Sequence, residues 1–395
     1  MSPTKMWGQK AFLRWLVVSA QRRTMGILLS TYATGRDNNF NLIRFIAASL
    51  VLFSHSFALT LGSGDAEPLR STIGMTLGSI AVDIFFITSG FLITSSYSSR
   101  KNLLSFVWAR VVRIYPALMV AIVFCVFVVG AYFSALSIQE YLINHQTYKY
   151  FVKNTIIFLG IEDRLPGVFL DVPYKGAVNG SLWALPYVVG MYAILAIILG
   201  LIAYIGKWVK FITVRNIILL IGLFSFGLNI FNHFQAALPI AIVHLFSMFF
   251  VGAAFFVWRD KVRLSSKWAF LGLSLLLMSS INKDLFFTVY CLVLPFLIIY
   301  AAYVPSGVVR RFNRCGDYSY GIYIYAFPIQ QSLAQMVPNI TVPMMIAASF
   351  SVTLFFAMLS WHLIEKRFLK KKGAYIVIEN FVKSVEQTRH CARTK

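Results

Sequence analysis

Residues 41–62 read NLIRFIAASLVLFSHSFALTLG and, after a short polar interval, residues 78–96 read GSIAVDIFFITSGFLITSS. Each is a run of about 20 mostly apolar residues, the length a helix rising about 1.5 Å per residue needs to cross a hydrocarbon layer about 30 Å thick. Working outward, comparable runs recur near 115–134, 182–204, 214–232, 237–257, 267–281, 285–304, 318–336 and 341–364, with 267–281 the shortest. Composition agrees, since 58% of the 395 residues are hydrophobic, 13% are charged and the mean hydropathy is +0.73. A water-soluble fold has no interior large enough for so much apolar side chain. The expected fold class is therefore all-α, a polytopic integral membrane protein of about ten transmembrane helices in the lipid bilayer.

The net charge of +22 would suit a nucleic-acid binder only if Lys and Arg were gathered on one folded face. Here they lie between the apolar runs, so nucleic acid is not an expected partner. With the N-terminus inside, 29 of the 36 Lys and Arg fall in inner segments, six in outer ones, and Arg44 alone within a span. By the positive-inside rule both termini are expected to be cytoplasmic. Three regions are expected: a cytoplasmic segment 1–36 whose basic residues flank a short apolar patch, as in an amphipathic helix lying on the membrane surface; a ten-helix membrane domain 37–368; and a basic cytoplasmic tail 369–395. The single long outer loop is expected at about 135–181. The cysteines Cys125, Cys291, Cys315 and Cys391 are scattered without metal-ligand or paired spacing, so neither a metal nor a disulfide framework is expected.

Ionisable side chains inside spans are expensive unless they face a polar interior, which makes them functional candidates. Arg44 and His55 are eleven residues apart, which on a helix places them within roughly 20° of one face and about 16 Å apart along the axis. An extended pantetheine arm reaches roughly as far, about 15–20 Å from covalent geometry. Neutral His55 has the pKa range of a general base for a hydroxyl attacking a thioester. Arg44 would meet phosphates or pantetheine carbonyls, or would reach out to the headgroups if purely structural. Asp83 needs a partner, for which His55 and Arg44 on the neighbouring span are candidates, while Thr88, Ser89 and Gly90 are read as a site of close helix approach.

In WARVVRIYP (108–116), Arg110 and Arg113 are three apart and so share a helical face. Two guanidiniums at the inner interface would clamp the phosphates of a nucleotide, or would simply mark an inner loop. In NGSLWALPY (179–187), Asn179 and Ser181 could ligate an acceptor and Trp183 could stack on a sugar ring or anchor at the interface. GDYSYGIYIYAFP (316–328) puts Tyr320 and Tyr323 on one face, as pocket lining or as an aromatic belt. Glu365 beside Lys366 and Arg367 reads as an interfacial ion pair. His145, His233, His244, His362 and His390 have no partner by spacing.

In this order the motifs resemble the membrane acyltransferase type 3 family of bacterial surface-polysaccharide O-acetylation. Arg44 and His55 resemble its basic-residue, ten-spacer, histidine motif, residues 78–93 its second-helix signature, Arg110 and Arg113 its paired arginines, and the two later stretches further landmarks. The resemblance implies an O-acetyltransferase of the bacterial inner membrane in its stand-alone form. It would take an acyl group from cytoplasmic acetyl-CoA, without a metal, and deliver it to a glycan or lipid-linked sugar outside. Homo-oligomerisation stays open. It further implies His55 and Asp83 as catalytic, Arg44, Arg110, Arg113 and Tyr115 as cofactor-binding, and Asn179, Ser181, Trp183, Tyr320 and Tyr323 as substrate-binding. Two positions depart from the pattern: Val188 stands where a glutamate is usual, and Asn41 where an aspartate is expected. The competing class is a transporter or permease of glycan intermediates, which would be expected to show broken helices and repeat symmetry; the sequence has neither.

Overall fold

The computed structural model describes residues 26–35, 37–100, 103–158, 160–205 and 213–371. The expected surface helix before residue 26 and the tail beyond residue 371 lie outside the described residues. Among the described residues, ten helices of 14 residues or more form the body: α1 (Phe40–Leu61), α2 (Leu77–Arg100), α3 (Leu103–Val123), α4 (Leu185–Ile205), α5 (Val214–Gln235), α6 (Ile240–Val257), α7 (Ser266–Ser279), α8 (Lys283–Tyr303), α9 (Ser319–Met336) and α10 (Val342–Ser360). Seven of the described helices, α1 to α5, α8 and α10, are long and apolar enough to cross a membrane. The other three are shorter, α6 and α9 at 18 residues and α7 at 14. The protein is thus an all-α, multi-pass membrane protein. Its only sheet among the described residues is a two-residue pairing of β1 (Ile27–Leu28) with β2 (Arg263–Leu264).

Local chemistry sets the helix ends. Gly62, at φ +80°, closes α1 with its N–H on the Ala58 carbonyl, a left-handed cap that glycine adopts without strain. The Asn282 side chain accepts from the N–H groups of Asp284 and Leu285 and so opens α8. Beyond Val123, α3 continues through a π-helical turn, Phe124–Gly130. The Tyr141 hydroxyl donates to the Val126 carbonyl there at 2.8 Å, giving a partner to a backbone group inside the widened turn.

The segment expected as a long outer loop is largely folded. Helices Ile138–Ile143 and His145–Ile156 follow α3, and the second of them packs back along it. Lys149 and Lys153 meet Glu162, and isolated bridges join Ser134 to Val168 and Arg164 to Ala177.

Two apolar clusters build the core. One is formed by α2, α4, α6 and α8 around Phe86, Ile87, Phe249, Phe250 and Tyr290, and the other by α3, the folded loop and α9 around Val126, Tyr141, Tyr150, Phe169 and Ile324. Between them, α1 packs on α2, α9 and α10. Helix α9 is the most enclosed element, with every residue from Ser319 to Gln331 buried. It is fixed by amides: Gln330 donates to the Leu52 carbonyl and Ser56 Oγ on α1, and Gln331 donates to the carbonyls of Tyr174 and Ala177.

The small-residue triplet of α2 does bring helices close. A Cβ on Gly90 would sit 1.9 Å from the Phe249 carbonyl oxygen of α6, and one on Gly252 would sit 2.2 Å from the Ile87 oxygen of α2. The two glycines let the backbones touch. Gly90→Ala is therefore expected to destabilise the protein by about 1–3 kcal/mol, the usual penalty of overpacking. This would be read as a lowered unfolding midpoint in detergent, and an unchanged midpoint would contradict the contact.

Candidate active site

Two cavities lie end to end along α1 and α2. The first, about 620 Å³, holds Arg44, Arg113, Ser319 and Tyr320 in a mostly apolar lining that includes Phe85 and Val188. The second, about 500 Å³, is more polar and is lined by His55, Glu67, Thr76, Ser79, Ser181 and Trp183. Val82 of α2 and Tyr323 of α9 line both. The two side chains therefore form a common wall, with arginines on one side and the histidine on the other.

At the arginine end, Asp317, in the turn before α9, joins three elements. It forms an ion pair with Arg113 of α3, lies 3.7 Å from Arg44 of α1, and accepts from Ser319 Oγ. Arg113 also reaches Glu365 Oε2 at 3.3 Å, while Ser360 Oγ donates to Glu365 Oε1. Glu365 sits in a π-helical turn, Trp361–Glu365, and is 2% exposed. The expected surface pair with Lys366 and Arg367 is thus replaced by a buried one with Arg113. The wider π-turn rotates the side chain inward, which regular helical spacing would not indicate. Burial alone would push the Asp317 carboxyl up, but the guanidiniums of Arg113 and Arg44, with the bonds from Ser319, hold it down at about 2.

At the other end, His55 projects from α1 beside Phe327, ring edge to face at 5.4 Å. Phe327 is held in turn by Gly180, where a Cβ would come 2.8 Å from its ring. His55 Nδ1 is buried with no hydrogen-bond partner among the described residues. Glu67, from the turn after α1, shares the cavity and accepts from Ser54 Oγ.

Arg44 and Arg113 meet in the first cavity with Tyr320 and Tyr323, and His55, Ser181, Trp183 and Tyr323 meet in the second. The Tyr320 hydroxyl donates to the Ile114 carbonyl and that of Tyr323 to the Ser181 carbonyl, so both tyrosines are fixed by backbone. Arg110 and Tyr115 line a separate groove of about 570 Å³ with Phe106 and Phe158, which touches the first cavity at Ile114 and Tyr192. Asn179 is buried and donates to the Ile324 carbonyl, anchoring the loop to α9.

Asp83 pairs with neither His55 nor Arg44. Its Oδ2 accepts from the Tyr290 hydroxyl at 2.7 Å and lies 2.8 Å from His244 Nε2, while His244 Nδ1 faces Asn229 Oδ1 at 3.3 Å. The side chain leaves α2 toward α6 and α8. A second pair, His233 with Asp284, lies at the adjoining ends of α5 and α8. Among the described residues, no group of three His, Cys, Asp or Glu side chains is placed to hold a metal ion.

A family profile described as an acyltransferase domain matches residues 37–362. The chain belongs to the acyltransferase family. It is similar to the O-acetyl transferase of Shigella phage Sf6, 29% identical over 87% of this chain and 99% of that protein. It is also similar to nodulation protein 10 of Rhizobium leguminosarum bv. viciae, 42% identical over 23% of this chain and 24% of the relative. No solved structure matches.

The charge cluster gives a pH test. The Asp317 carboxyl is depressed in the folded state, so its contribution is complete above its unfolded value of about 3.9. That contribution is lost as pH falls through about 2. Asp317→Asn should lose about 1–3 kcal/mol near neutrality, because two half-buried guanidiniums lose a carboxylate while Arg113 keeps Glu365. The gap from wild type should narrow on acidification below about pH 4, in unfolding measured across pH in detergent. A gap constant down to pH 2 would contradict the assignment.

Proposed function

We propose that this acyltransferase is an O-acetyltransferase of the bacterial inner membrane. It moves an acetyl or related acyl group from cytoplasmic acyl-CoA to a hydroxyl of a cell-envelope or exported polysaccharide, with His55 as general base. The observation that carries the reading is the pair of abutting cavities, one cationic at its end and one holding the histidine. The first cavity suits a slender pantetheine arm: apolar walls for the methylenes, Arg44 and Arg113 at the entrance for phosphate or amide oxygens. The second suits a sugar, with Trp183 as a stacking face and Ser79 and Thr76 as polar contacts.

The thioester then sits at the wall formed by Val82 and Tyr323. His55 removes the proton of the acceptor hydroxyl, and the oxygen attacks the thioester carbonyl. The new C–O bond forms, the C–S bond breaks, and the proton passes from His55 to the departing thiolate, giving CoA thiol and the ester. The excess of basic residues in the inner segments supports donor entry at the arginine end, and the phage relative named as an O-acetyl transferase supports acetyl as the group moved. In this reading Asp83 holds α2 to α6 and α8 and does not orient the base.

Two variants test it with labelled acetyl-CoA and purified protein. His55→Ala should reduce transfer by about 10²–10⁴-fold, the usual contribution of a general base, while the protein stays folded. Val82→Trp, which fills the shared wall where the thioester would sit, should abolish transfer while the protein stays folded. Full transfer by His55→Ala would overturn the histidine role, and full transfer by Val82→Trp would overturn the connected cavities.

A further inference from the structure

We propose that Glu67 is the positioning and charge-compensating partner of His55, the carboxylate that steadies the imidazolium formed when the base takes the acceptor proton. The inference rests on the reading of His55 as the base. It begins from a problem of solvation. A proton placed on a half-buried imidazole packed against Phe327 creates a charge that water does not fully screen, and such a charge is steadied by a nearby opposite one. Asp83 does not meet that need, since Tyr290 and His244 engage it on the far side of α2.

Among the described residues, Glu67 is the one carboxylate that lines the His55 cavity. Its place is built by the chain. Gly62 turns the backbone back at the end of α1, the short 3₁₀ turn Gly64–Ala66 follows, and Leu69 takes a left-handed φ of +72° before the next turn. A leucine there is strained, and surrounding contacts have to hold it. Ser54, adjacent to His55 in sequence, donates its hydroxyl to Glu67 Oε2. The loop carboxylate is thereby registered against the helix turn that carries the base. His55 Nδ1 is buried without a hydrogen-bond partner among the described residues, and a negative charge nearby favours the protonated ring over the neutral one. No bond to substrate is broken by Glu67; it acts through His55.

The test uses the full chain in detergent, acetyl-CoA as donor and a soluble sugar hydroxyl as acceptor, with steady-state constants for each variant. Glu67→Gln keeps the shape and the Ser54 hydrogen bond but removes the charge. It should lower kcat at least 30-fold with KM for acetyl-CoA unchanged within twofold, and Glu67→Asp should recover at least a tenth of the wild-type rate. The double variant His55→Ala/Glu67→Gln should be no slower than His55→Ala, because a partner acting through the base adds nothing once the base is gone. If Glu67→Gln keeps wild-type kcat, or if the two losses multiply, the partnership is wrong while the base assignment stands. If His55→Ala itself stays active, the base assignment has failed instead. A Glu67→Gln protein that is inactive with a lowered unfolding midpoint, and is not rescued by Asp, would mean a structural role and would also overturn the proposal.

Discussion

Asp317 carries one negative charge and faces two guanidiniums from different helices, Arg44 on α1 and Arg113 on α3, at the entrance to α9. In a low-dielectric interior, none of these charges is tolerable alone. The need to pair them ties together α1, α3 and the start of α9, elements far apart in sequence, and Glu365 extends the tie to the end of α10 through Arg113. The first cavity exists because this cluster is anchored at one end and the common wall closes the other. The cationic character of the entrance is correspondingly tempered: the arginines are held in position by carboxylates instead of standing free.

The same logic of paired polarity shapes α9. A helix enclosed on all sides would ordinarily be uniformly apolar, yet it carries Gln330, Gln331 and four tyrosines or serines in its buried stretch. Each amide donates to a backbone carbonyl of α1 or of the folded loop, which fixes the rotation of α9. That rotation aims Tyr323 at the junction of the cavities and Phe327 at His55. Polar side chains here set the geometry of the site without entering its chemistry.

The apolar runs of the sequence correspond to the ten helices, because length and hydropathy are local properties and a lipid solvent leaves helices as the simple solution; the exception is α3, which starts at Leu103 instead of near 115 and so takes Arg110 and Arg113, expected in an inner loop, into a candidate span. The shared stripe of Arg44 and His55 was legible for the same reason: one helix, one period. Pairings across helices were not. Asp83 selected His244 and Tyr290, residues 161 and 207 positions away, over the nearer histidine, and no spacing rule reports such a distance. Glu67 lies in GSGDAEPLR, a loop without periodicity, and Glu365 is turned inward by a π-turn that looks like ordinary helix in sequence. Segment 135–181 read as a loop because its helices are short and polar, and only their packing on α3 stabilises them.

The narrow wall of Val82 and Tyr323 has a consequence for the cell as a whole. A passage joining one face of an energised membrane to the other is also a route for protons, and each elementary charge that crosses 100 mV releases about 2.3 kcal/mol. An apolar β-branched side chain set against a tyrosine, whose hydroxyl is already committed to the Ser181 carbonyl, leaves few polar groups there to support a water chain. In the proposed reaction, the two residues at which donor and acceptor would meet would thus also serve as electrical insulation between the two ends of the site.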